Sequence, residues 1–533
     1  CGIAGQARAD GAPVSDELVA RMCAAQEHRG PDSRGLHVEG GVGLGIQRLR
    51  VIDLETGDQP VTNEDGSVTV VLNGEIYNYA ELREELLRDG HRLSTKGDTE
   101  TIAHLYEEYG AECVKRLQGM FCFALWDSRR QRLLIARDRV GKKPLFYSFR
   151  DGVLSFASEL RALLADPAVP REVDPAAIDA YLAYGYVPAP ISAFRGVYKL
   201  PPAHTLVFER GALRTERYWR LEYGEKLDVA DPDELHERIR AALRAAVGRR
   251  LVADVPVGAF LSGGIDSSAV VAAMAEQSTE PVRTFSIGFA DEATNELPRA
   301  RLVAERFGTE HHELTVEPDA IETLPKLVRH YGEPFGDHSA LACFYLAQLA
   351  REHVTVALNG DGGDESFAGY QRYSSNLLAA RLERVPAPLR RALAAVGGGL
   401  PAADDPRALR SRAQRFASRL GGEREGRYLD QVQIFNAAAR RALYGEEFAG
   451  EVEPAAADDF LLGPWREASG ENLLDQLLEV DASVYLPGDL LAKIDVATMA
   501  HSLEARSPLL DHELMELAAA IPPEHKARGA QRK

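Results

Sequence analysis

The sequence is poor in cysteine and contains no long run of apolar or basic residues. Its five cysteines are an odd number without CxxC spacing, which argues against a disulfide framework and a cysteine-bound metal. The net charge is −19 without a lysine or arginine block, so nucleic acid is not expected as the main partner. No segment has the apolar length of a membrane span, and the first residues show no secretory signal pattern. We therefore expect a cytoplasmic protein that binds neither nucleic acid nor membranes.

A chain of 533 residues is too long for one hydrophobic core, so two or more domains are expected. In its first part, pairs of strands with intervening helices favour two sheets with helical outer layers. Proline-rich segments at 166–170 and 187–204 follow, and we place the domains at residues 1–210 and 211–533. Strands then alternate with helices, which predicts a parallel, doubly wound sheet. Residues 373–480 favour an additional helical layer.

A glycine turn joins a short apolar strand at 255–261 to an alanine-rich helix that starts at Ser267. The free N–H groups of a helix start bind anions, and Gly263 and Gly264 let the backbone approach a phosphate. No Walker lysine follows, and Asp266 would repel phosphate unless it holds Mg²⁺. The turn thus predicts a pyrophosphate cradle with magnesium. An ordinary serine-capped connection between strand and helix is the alternative.

A second loop rich in glycine and acid, residues 359–365, follows the strand at 354–358. Loops after parallel strands meet at the carboxyl edge of the sheet, so Asp364 should lie near Asp266, and we expect the two carboxylates to flank Mg²⁺ on the pyrophosphate. By itself, this loop would be interpreted as a solvated turn. The small residues Ser286 and Gly288 on another strand would let a nucleotide base lie on the backbone.

Cys1 carries a thiol and, once a start methionine is removed, a free α-amine. The ordinary pKa of such an amine is about 8, so it can act as the base for its own nucleophile without a histidine. Alternatively, cysteine at the first position is incidental. The other four cysteines are expected to be small buried hydrophobes.

Several strings in the first part carry a family resemblance. They are Cys-Gly-Ile-Ala-Gly at 1–5, His-Arg-Gly-Pro-Asp at 28–32, Gln-Arg-Leu-Arg at 47–50, Asn-Gly-Glu-Ile-Tyr-Asn at 73–78 and Lys-Gly-Asp-Thr-Glu at 96–100. Together they resemble the class II glutamine amidotransferase domain over roughly residues 1–165. The resemblance implies an N-terminal-nucleophile hydrolase with an αββα sandwich.

This resemblance also implies roles for individual residues. Cys1 would attack the glutamine amide, with Asn73 and Gly74 as the oxyanion hole. Arg48 would bind the α-carboxylate of glutamine, and the α-ammonium group would be bound by Glu75 and Asp98. Taken singly, Arg48 could be a surface charge and Asn73-Gly74 a hairpin turn. Position 97 is glycine where the family usually has serine, which puts local contacts near Asp98 in doubt.

The second part resembles the synthetase domain of glutamine-dependent asparagine synthetases, an ATP-pyrophosphatase domain of the adenine nucleotide α-hydrolase type. In the acidic loop, Asn359 replaces the family's usual serine, and Asp361 occupies the position thought to act as a base.

Residues 526–533 resemble the segment that ends in the catalytic lysine, so Lys533 would steady charge on the phosphates. A flexible basic tail is the alternative, and the family chain continues beyond this point. The resemblance implies ATP contacts from Leu261, Ser262, Gly263, Gly264, Asp266, Ser267, Ser268, Ser286, Ile287, Gly288, Asn359 and Gly360.

Two further strings, at 490–495 and 502–511, also look like the family, with Leu509 where phenylalanine is usual. We expect them to provide packing and contacts at the domain interface. Residues 333–343 depart from the usual run of close relatives, and the acceptor substrate therefore stays open.

The sequence predicts a glutamine-hydrolysing asparagine synthetase. In this interpretation, ammonia released at Cys1 reaches an acyl-AMP that is formed from aspartate and ATP with Mg²⁺, through a sheltered path at the domain interface. One alternative is an amidotransferase that acts on another carboxylate in natural-product or polysaccharide biosynthesis; a β-lactam-forming synthetase fits less well because Cys1 is intact. A non-catalytic regulatory homologue is the second alternative. The family also suggests a homodimer.

Overall fold

The computed structural model describes residues 1–289, 295–316, 320–398, 409–453 and 455–527. Up to residue 217 the chain forms strands β1 (Gly2–Arg8), β2 (Ser33–Glu39), β3 (Val42–Arg48), β4 (Val61–Thr62), β5 (Val68–Ile76), β6 (Gly119–Asp127), β7 (Arg132–Arg137), β8 (Phe146–Arg150), β9 (Val153–Ala157), β10 (Tyr198–Lys199), β11 (His204–Glu209) and β12 (Ala212–Arg217). Its helices are α1 (Asp16–Ala24), α2 (Tyr79–Arg88), α3 (Thr99–Tyr109), α4 (Leu160–Leu163) and α5 (Pro175–Tyr184).

These strands form two six-stranded antiparallel sheets, in the orders β10-β8-β9-β1-β3-β2 and β12-β11-β7-β6-β5-β4. Helix α1 packs on the first sheet and α3 on the second. Strand β5 is buried at every position, because Val71 lies in the core between the sheets while Val70 and Leu72 pack beneath α2 and α3. The order helix, sheet, sheet, helix confirms the predicted αββα sandwich.

The hairpin of β11 and β12 belongs to the second sheet, since β11 pairs with β7. The boundary placed at residue 210 falls inside this hairpin, and the sandwich continues to Arg217. Residues 218–231 then lead to the first helix of the second part.

The second part contains a five-stranded sheet and many helices. Its elements are α6 (Pro232–Arg250), β13 (Val257–Phe260), α7 (Ile265–Gln277), β14 (Arg283–Phe289), α8 (Leu297–Phe307), β15 (Glu310–Val316), α9 (Ala320–Tyr331), α10 (Ser339–Arg351), β16 (Val356–Leu358), α11 (Gly363–Phe367), α12 (Gln371–Arg381), α13 (Ala387–Gly398), α14 (Leu409–Arg419), α15 (Arg424–Val432), α16 (Ala437–Leu443), α17 (Glu446–Glu451), α18 (Ala456–Glu467), α19 (Leu473–Ser483), α20 (Leu491–Met499), β17 (Glu504–Arg506), α21 (His512–Ala520) and α22 (Pro523–Lys526).

The strand order in this sheet is β15-β14-β13-β16-β17, and every pair is parallel. The chain runs outward from β13 to β15 and then returns to the other side of β13 with β16. The crevice between β13 and β16 is therefore the topological switch point, where open parallel sheets bind their ligands. The predicted doubly wound sheet is confirmed.

Helices α12 to α19 account for most of the described part of residues 373–480, as predicted. They enclose a core of Tyr373, Tyr428, Leu461, Leu477 and Leu478 beside the sheet. Within the described ranges, no helix combines the length and the apolar character that crossing a bilayer would require.

Candidate active sites

The first candidate site is a pocket where the two N-terminal sheets meet. Cys1 precedes β1, Arg48 ends β3, Gly74 and Glu75 lie in β5, and Asp98 directly precedes α3; all five line the pocket. Residues that are far apart in the sequence thus converge on the thiol.

The α-amine of Cys1 is held in a buried, electropositive environment. It donates to the carbonyl oxygen of Arg29 over 2.9 Å, and the Cys1 thiol accepts from the Leu49 N–H over 3.3 Å. Burial, reinforced by the charges of Arg29 and Lys143, lowers the pKa of the amine from 8.0 to about 4. The amine is therefore unprotonated at neutral pH and able to take a proton from the adjacent thiol.

Asn73 and Gly74 lie at the buried end of β5. The Asn73 amide donates to Ser158 Oγ over 3.2 Å, while its Oδ1 is buried without a hydrogen-bond partner. Gly74 has a φ of +136°, and a Cβ there would lie 2.0 Å from the carbonyl oxygen of Met120. Only glycine is compatible with this backbone conformation and close approach.

Two carboxyl groups at the other end of the pocket, Glu75 and Asp98, form no close ion pair with any of the described residues. Burial, together with the carboxylates of Asp98 and Glu504, raises the pKa of Glu75 well above its ordinary value, and Glu75 Oε2 has no hydrogen-bond partner. Burial also raises the pKa of Asp98, although its Oδ2 accepts the Ile76 N–H over 2.9 Å. A bound ammonium group would stabilise the charged form of both carboxyls.

Arg48 is fixed at the rim of the pocket by its own neighbours. Its Nη2 donates to the carbonyl oxygens of Ile52 and Asp53 over 2.9 and 2.8 Å, and its Nη1 donates to Asp58 over 2.7 Å. Because the Asp58 side chain is half exposed, a substrate carboxylate would share or replace this ion pair.

A buried ionic network connects the backbone of Cys1 to the second domain. Arg29 Nε donates to the Cys1 carbonyl over 2.8 Å, and Arg29 Nη2 donates to Asp495 of α20 over 2.8 Å. Lys143 Nζ contacts the other oxygen of Asp495 at 3.2 Å. Although burial raises the pKa of Asp495, these two cations lower it to about 2. The sequence predicted an interface role for 490–495 but did not pair it with Arg29 or Lys143.

The second candidate site lies at the β13–β16 crevice. Its first wall is the phosphate loop, residues 261–268. Ser262 Oγ accepts the Gly264 N–H over 3.2 Å and lies 3.0 Å from Ser267 Oγ, and Leu261 accepts a hydrogen bond from Ser286. Gly263 has a φ of +72°, and a Cβ there would lie 2.6 Å from the backbone of α8. Glycine is thus required for this turn.

The acidic loop, residues 359–365, forms the second wall. A Cβ on Gly363 would lie 2.5 Å from the Asp266 carboxylate, and one on Gly360 would lie 2.8 Å from the Ser267 nitrogen. The two loops can touch only because both positions are glycine. Asp364 directly follows Gly363 in the first turn of α11, so the loops that carry the two predicted magnesium ligands are in contact.

The remaining predicted ATP contacts are distributed around these walls. Ser268 lies on α7, and Ile287 and Gly288 lie near the end of β14. A Cβ on Gly288 would lie 2.4 Å from Leu297 Cδ1, so the side of Gly288 where a Cβ would point is filled by α8. Lys533 lies outside the described residues.

Asp361, the predicted base, is oriented by Asn359, whose amide donates to it over 2.8 Å. Lys142 of the N-terminal sandwich hydrogen-bonds with Ser507. Burial lowers the pKa of Lys142 to about 8, and the negative charge of Asp361 opposes that shift. The sequence analysis missed this lysine; its only signal was a Lys-Lys pair in an otherwise uncharged segment at 140–146.

Comparison with known proteins identifies both halves. A family model described as asparagine synthase matches residues 238–533, and one described as glutamine amidotransferase domain matches residues 1–219. The chain belongs to the asparagine synthase family. Members of this family are ATP-dependent ligases that use glutamine, and the present chain shares their two-domain organisation.

Curated relatives span nearly the whole chain. Asparagine synthetase [glutamine-hydrolyzing] 1 of Bacillus subtilis is 34% identical over 97% of this chain and 80% of its own length. A putative asparagine synthetase [glutamine-hydrolyzing] of Mycobacterium tuberculosis is 35% identical over the same shares. Amidase chyE of Penicillium rubens is 30% identical over 98% of this chain and 81% of its own length.

Residues 336–338, part of the 333–343 segment that left the acceptor open, border a third cavity of about 300 Å³. It is lined by Asp337, His338, Arg372, Tyr485 and Asp489, among others. Lys493 Nζ donates to Asp337 over 2.7 Å. Burial, reinforced by the Asp337 carboxylate, raises the pKa of Asp489 to about 6. Both acidic and basic side chains are therefore available at this cavity to contact a small molecule.

Proposed function

We propose that this asparagine synthase family member is a glutamine-hydrolysing asparagine synthetase with two sites. The observation that supports this best is the ionic network that joins Cys1, through Arg29, to Asp495 in the synthetase domain. A hydrolase that worked alone would gain nothing from a buried charge shared with another domain. Burying such charges is favourable only with close pairing, and here the pairing fixes one site relative to the other.

At the first site, the Cys1 amine takes the thiol proton and the sulfur attacks the side-chain amide of glutamine. The Asn73 amide and the Gly74 N–H stabilise the oxyanion, and ammonia leaves as the thioester forms. Glu75 and Asp98 bind the α-ammonium group of glutamine, which stabilises the charged forms of both carboxyls. Arg48 binds the α-carboxylate. Water then hydrolyses the thioester to glutamate.

At the second site, the carboxylate of the acceptor attacks the α-phosphorus of ATP, and pyrophosphate leaves along the phosphate loop. Asp266 and Asp364 would hold magnesium, because hard carboxylate oxygens on two touching loops are the donors that Mg²⁺ prefers. The ion, when bound, neutralises phosphate charge. Asp361 then acts as the base when ammonia attacks the acyl-AMP, and Lys533 contributes positive charge.

Ammonia would cross between the sites through the domain interface. A cavity of about 370 Å³ lies there, and its lining includes Ser158, which holds Asn73, and Lys142, which faces Asp361. A path of this kind keeps ammonia from being protonated in bulk water.

The acceptor is proposed to be aspartate. The third cavity offers carboxylates at Asp337 and Asp489 and a cation at Arg372, with Lys493 bound to Asp337; together these charges complement the ammonium and carboxylate groups of an amino acid. The similarity to amidase chyE keeps open the alternative of another carboxylate in a biosynthetic pathway. A homodimer and a cytoplasmic location also remain proposals.

The rate of pyrophosphate release tests which carboxylate is the acceptor. With ATP, Mg²⁺ and ammonia, aspartate should stimulate release at least about tenfold over the rate without acceptor, because only a bound carboxylate can be adenylated. Glutamate, succinate and alanine serve as matched acids that change chain length or remove one charged group. Stimulation by another acid but not by aspartate would support the alternative substrate. Failure of every acid, with glutamine hydrolysis also absent, would favour a regulatory homologue.

The pH dependence of glutaminase activity is a second prediction. With an amine pKa of about 4, kcat at saturating glutamine, whose ammonium group keeps Glu75 and Asp98 charged, should stay nearly level from pH 8 down to about 5. Protonation inactivates the base, so the rate falls only as the pH approaches that pKa. An amine with an ordinary pKa of about 8 would lose about tenfold per unit below it. Initial rates of glutamate formation distinguish these profiles, and an acid limb near pH 8 would contradict the buried-amine mechanism.

A further inference from the structure

A cluster of two histidines and two glutamates lies on the N-terminal sandwich, away from both sites. Glu64, His91, His104 and Glu107 each offer one ligand atom, and these atoms lie within 4.8 Å of one another. They come from three segments: the β4–β5 connection, the loop after α2, and α3. The proposed function uses none of them.

The Nδ1 atoms of both imidazoles face the two carboxylates. His104 Nδ1 lies 2.9 Å from Glu107 Oε2 and 3.4 Å from Glu64 Oε2. His91 Nδ1 lies 3.4 Å from Glu64 Oε1 and 3.7 Å from Glu107 Oε2. Two nitrogens and two carboxylate oxygens are therefore directed at one point.

Outer partners orient each of these groups. The Nε2 atoms of the histidines face other carboxylates: His91 Nε2 lies 3.1 Å from Glu108 Oε1 and His104 Nε2 lies 3.8 Å from Glu100 Oε1. The Asn63 amide donates to Glu107 Oε1 over 2.8 Å. Pairing the distal nitrogen of a histidine with a carboxylate is the arrangement that orients metal-binding imidazoles.

Burial distinguishes this cluster from ordinary surface ion pairs. The His104 side chain is fully buried. The side chains of His91, Glu64 and Glu107 are partly exposed, which leaves a route for an ion to enter.

We propose that Glu64, His91, His104 and Glu107 bind a structural zinc ion. Two imidazoles and two carboxylates match the tetrahedral nitrogen and oxygen donor sets of Zn²⁺, whereas Ca²⁺ and Mg²⁺ need six or more oxygen ligands. The ion would tie α3 to the two preceding segments. Helix α3 follows Asp98, and Glu100 on the same helix holds Thr95 at the glutamine pocket through 2.6 and 2.7 Å hydrogen bonds. Zinc would thus stabilise one wall of that pocket.

The test uses the full chain after dialysis against a chelator, with zinc chloride as the probe. Calorimetric titration and metal analysis should find one Zn²⁺ per chain, and bound zinc should raise the melting temperature. Substitution with Co²⁺ should give the intense visible absorption of a tetrahedral site. Excess Mg²⁺ or Ca²⁺ should not displace the ion.

Variants locate the site. H91N and E107Q should weaken zinc binding by about 100-fold or more, and E100Q, which changes only an outer partner, by about 10–100-fold. H236N is the matched control, since His236 is exposed on α6, and it should retain full affinity. Unchanged circular dichroism and unfolding of the metal-free variants would show that they fold. Weak binding of several ions per chain, or equal zinc affinity in all variants, would overturn the proposal, and neither result depends on amidotransferase activity.

Discussion

Replacing Cys1 with alanine should abolish glutamine hydrolysis, with a loss of about 10⁴-fold or more, because both the attacking sulfur and the thioester disappear. Synthesis with glutamine should stop with it. Synthesis with added ammonia should continue at a rate within about twofold of the unchanged chain, because the second site lies in a separate domain. Glutamate formation and pyrophosphate release, measured on the same preparation, report the two sites independently.

The matched control is Cys23→Ala, which removes a thiol from the core of the same domain. Burial raises the pKa of that thiol to about 12, so it is inert, and both activities should survive. Loss of ammonia-dependent synthesis in the Cys1 variant would contradict two separable sites. Residual glutaminase activity close to that of the unchanged chain would remove Cys1 from the mechanism.

Much of the glutaminase pocket could be predicted because its residues lie in short, recognisable strings. Asn73, Gly74 and Glu75 are consecutive, and the buried strand before them indicates where the string sits. The backbone explains why the residue types in this string are constrained, because Gly74 has a φ of +136° and lies beside the Met120 carbonyl. Local requirements of this kind are visible in a sequence.

The contacts between the domains could not be predicted in the same way. Arg29 and Asp495 are separated by 466 positions, and each looks alone like an ordinary charged residue. Their pairing depends on how the sandwich docks on α20. The contact of Lys142 could not be predicted for the same reason. Nor could the proposed zinc site of Glu64, His91, His104 and Glu107, because these residues come from three segments with no spacing that resembles a metal motif.

The domain boundary predicted near residue 210 shows a different limit of prediction from sequence. Proline-rich segments were the signal for a boundary in this region, but a β-hairpin that continues a distant sheet has the same local sequence pattern as one that starts a new domain. Only the pairing of β11 with β7 assigns residues 204–217 to the sandwich. Which distant strands pair with each other cannot be deduced from the local sequence pattern alone.

Replacing Asp266 with asparagine should reduce pyrophosphate release by about 10²–10³-fold, since a metal that neutralises phosphate charge lowers the activation barrier by several kcal/mol. Glutamine hydrolysis should persist. Gly363→Ala should act in the same direction without removing the carboxylate, because the new Cβ would lie 2.5 Å from the Asp266 carboxylate carbon and push the two loops apart. Radiolabelled pyrophosphate release with saturating ammonia measures both variants.

Glu276→Gln is the matched control, because it makes the same acid-to-amide change on the same helix. Glu276 lies near the end of α7 opposite the loop and pairs with Arg244 at 2.7 Å on the surface, so pyrophosphate release should not change. The result for Asp266→Asn depends on Mg²⁺ as well: if the carboxylate holds the ion, higher Mg²⁺ should restore part of the activity. If the Asp266→Asn variant released pyrophosphate at the rate of the unchanged chain at limiting Mg²⁺, Asp266 would have no role in holding the metal. The phosphate loop would then bind pyrophosphate through its backbone N–H groups alone.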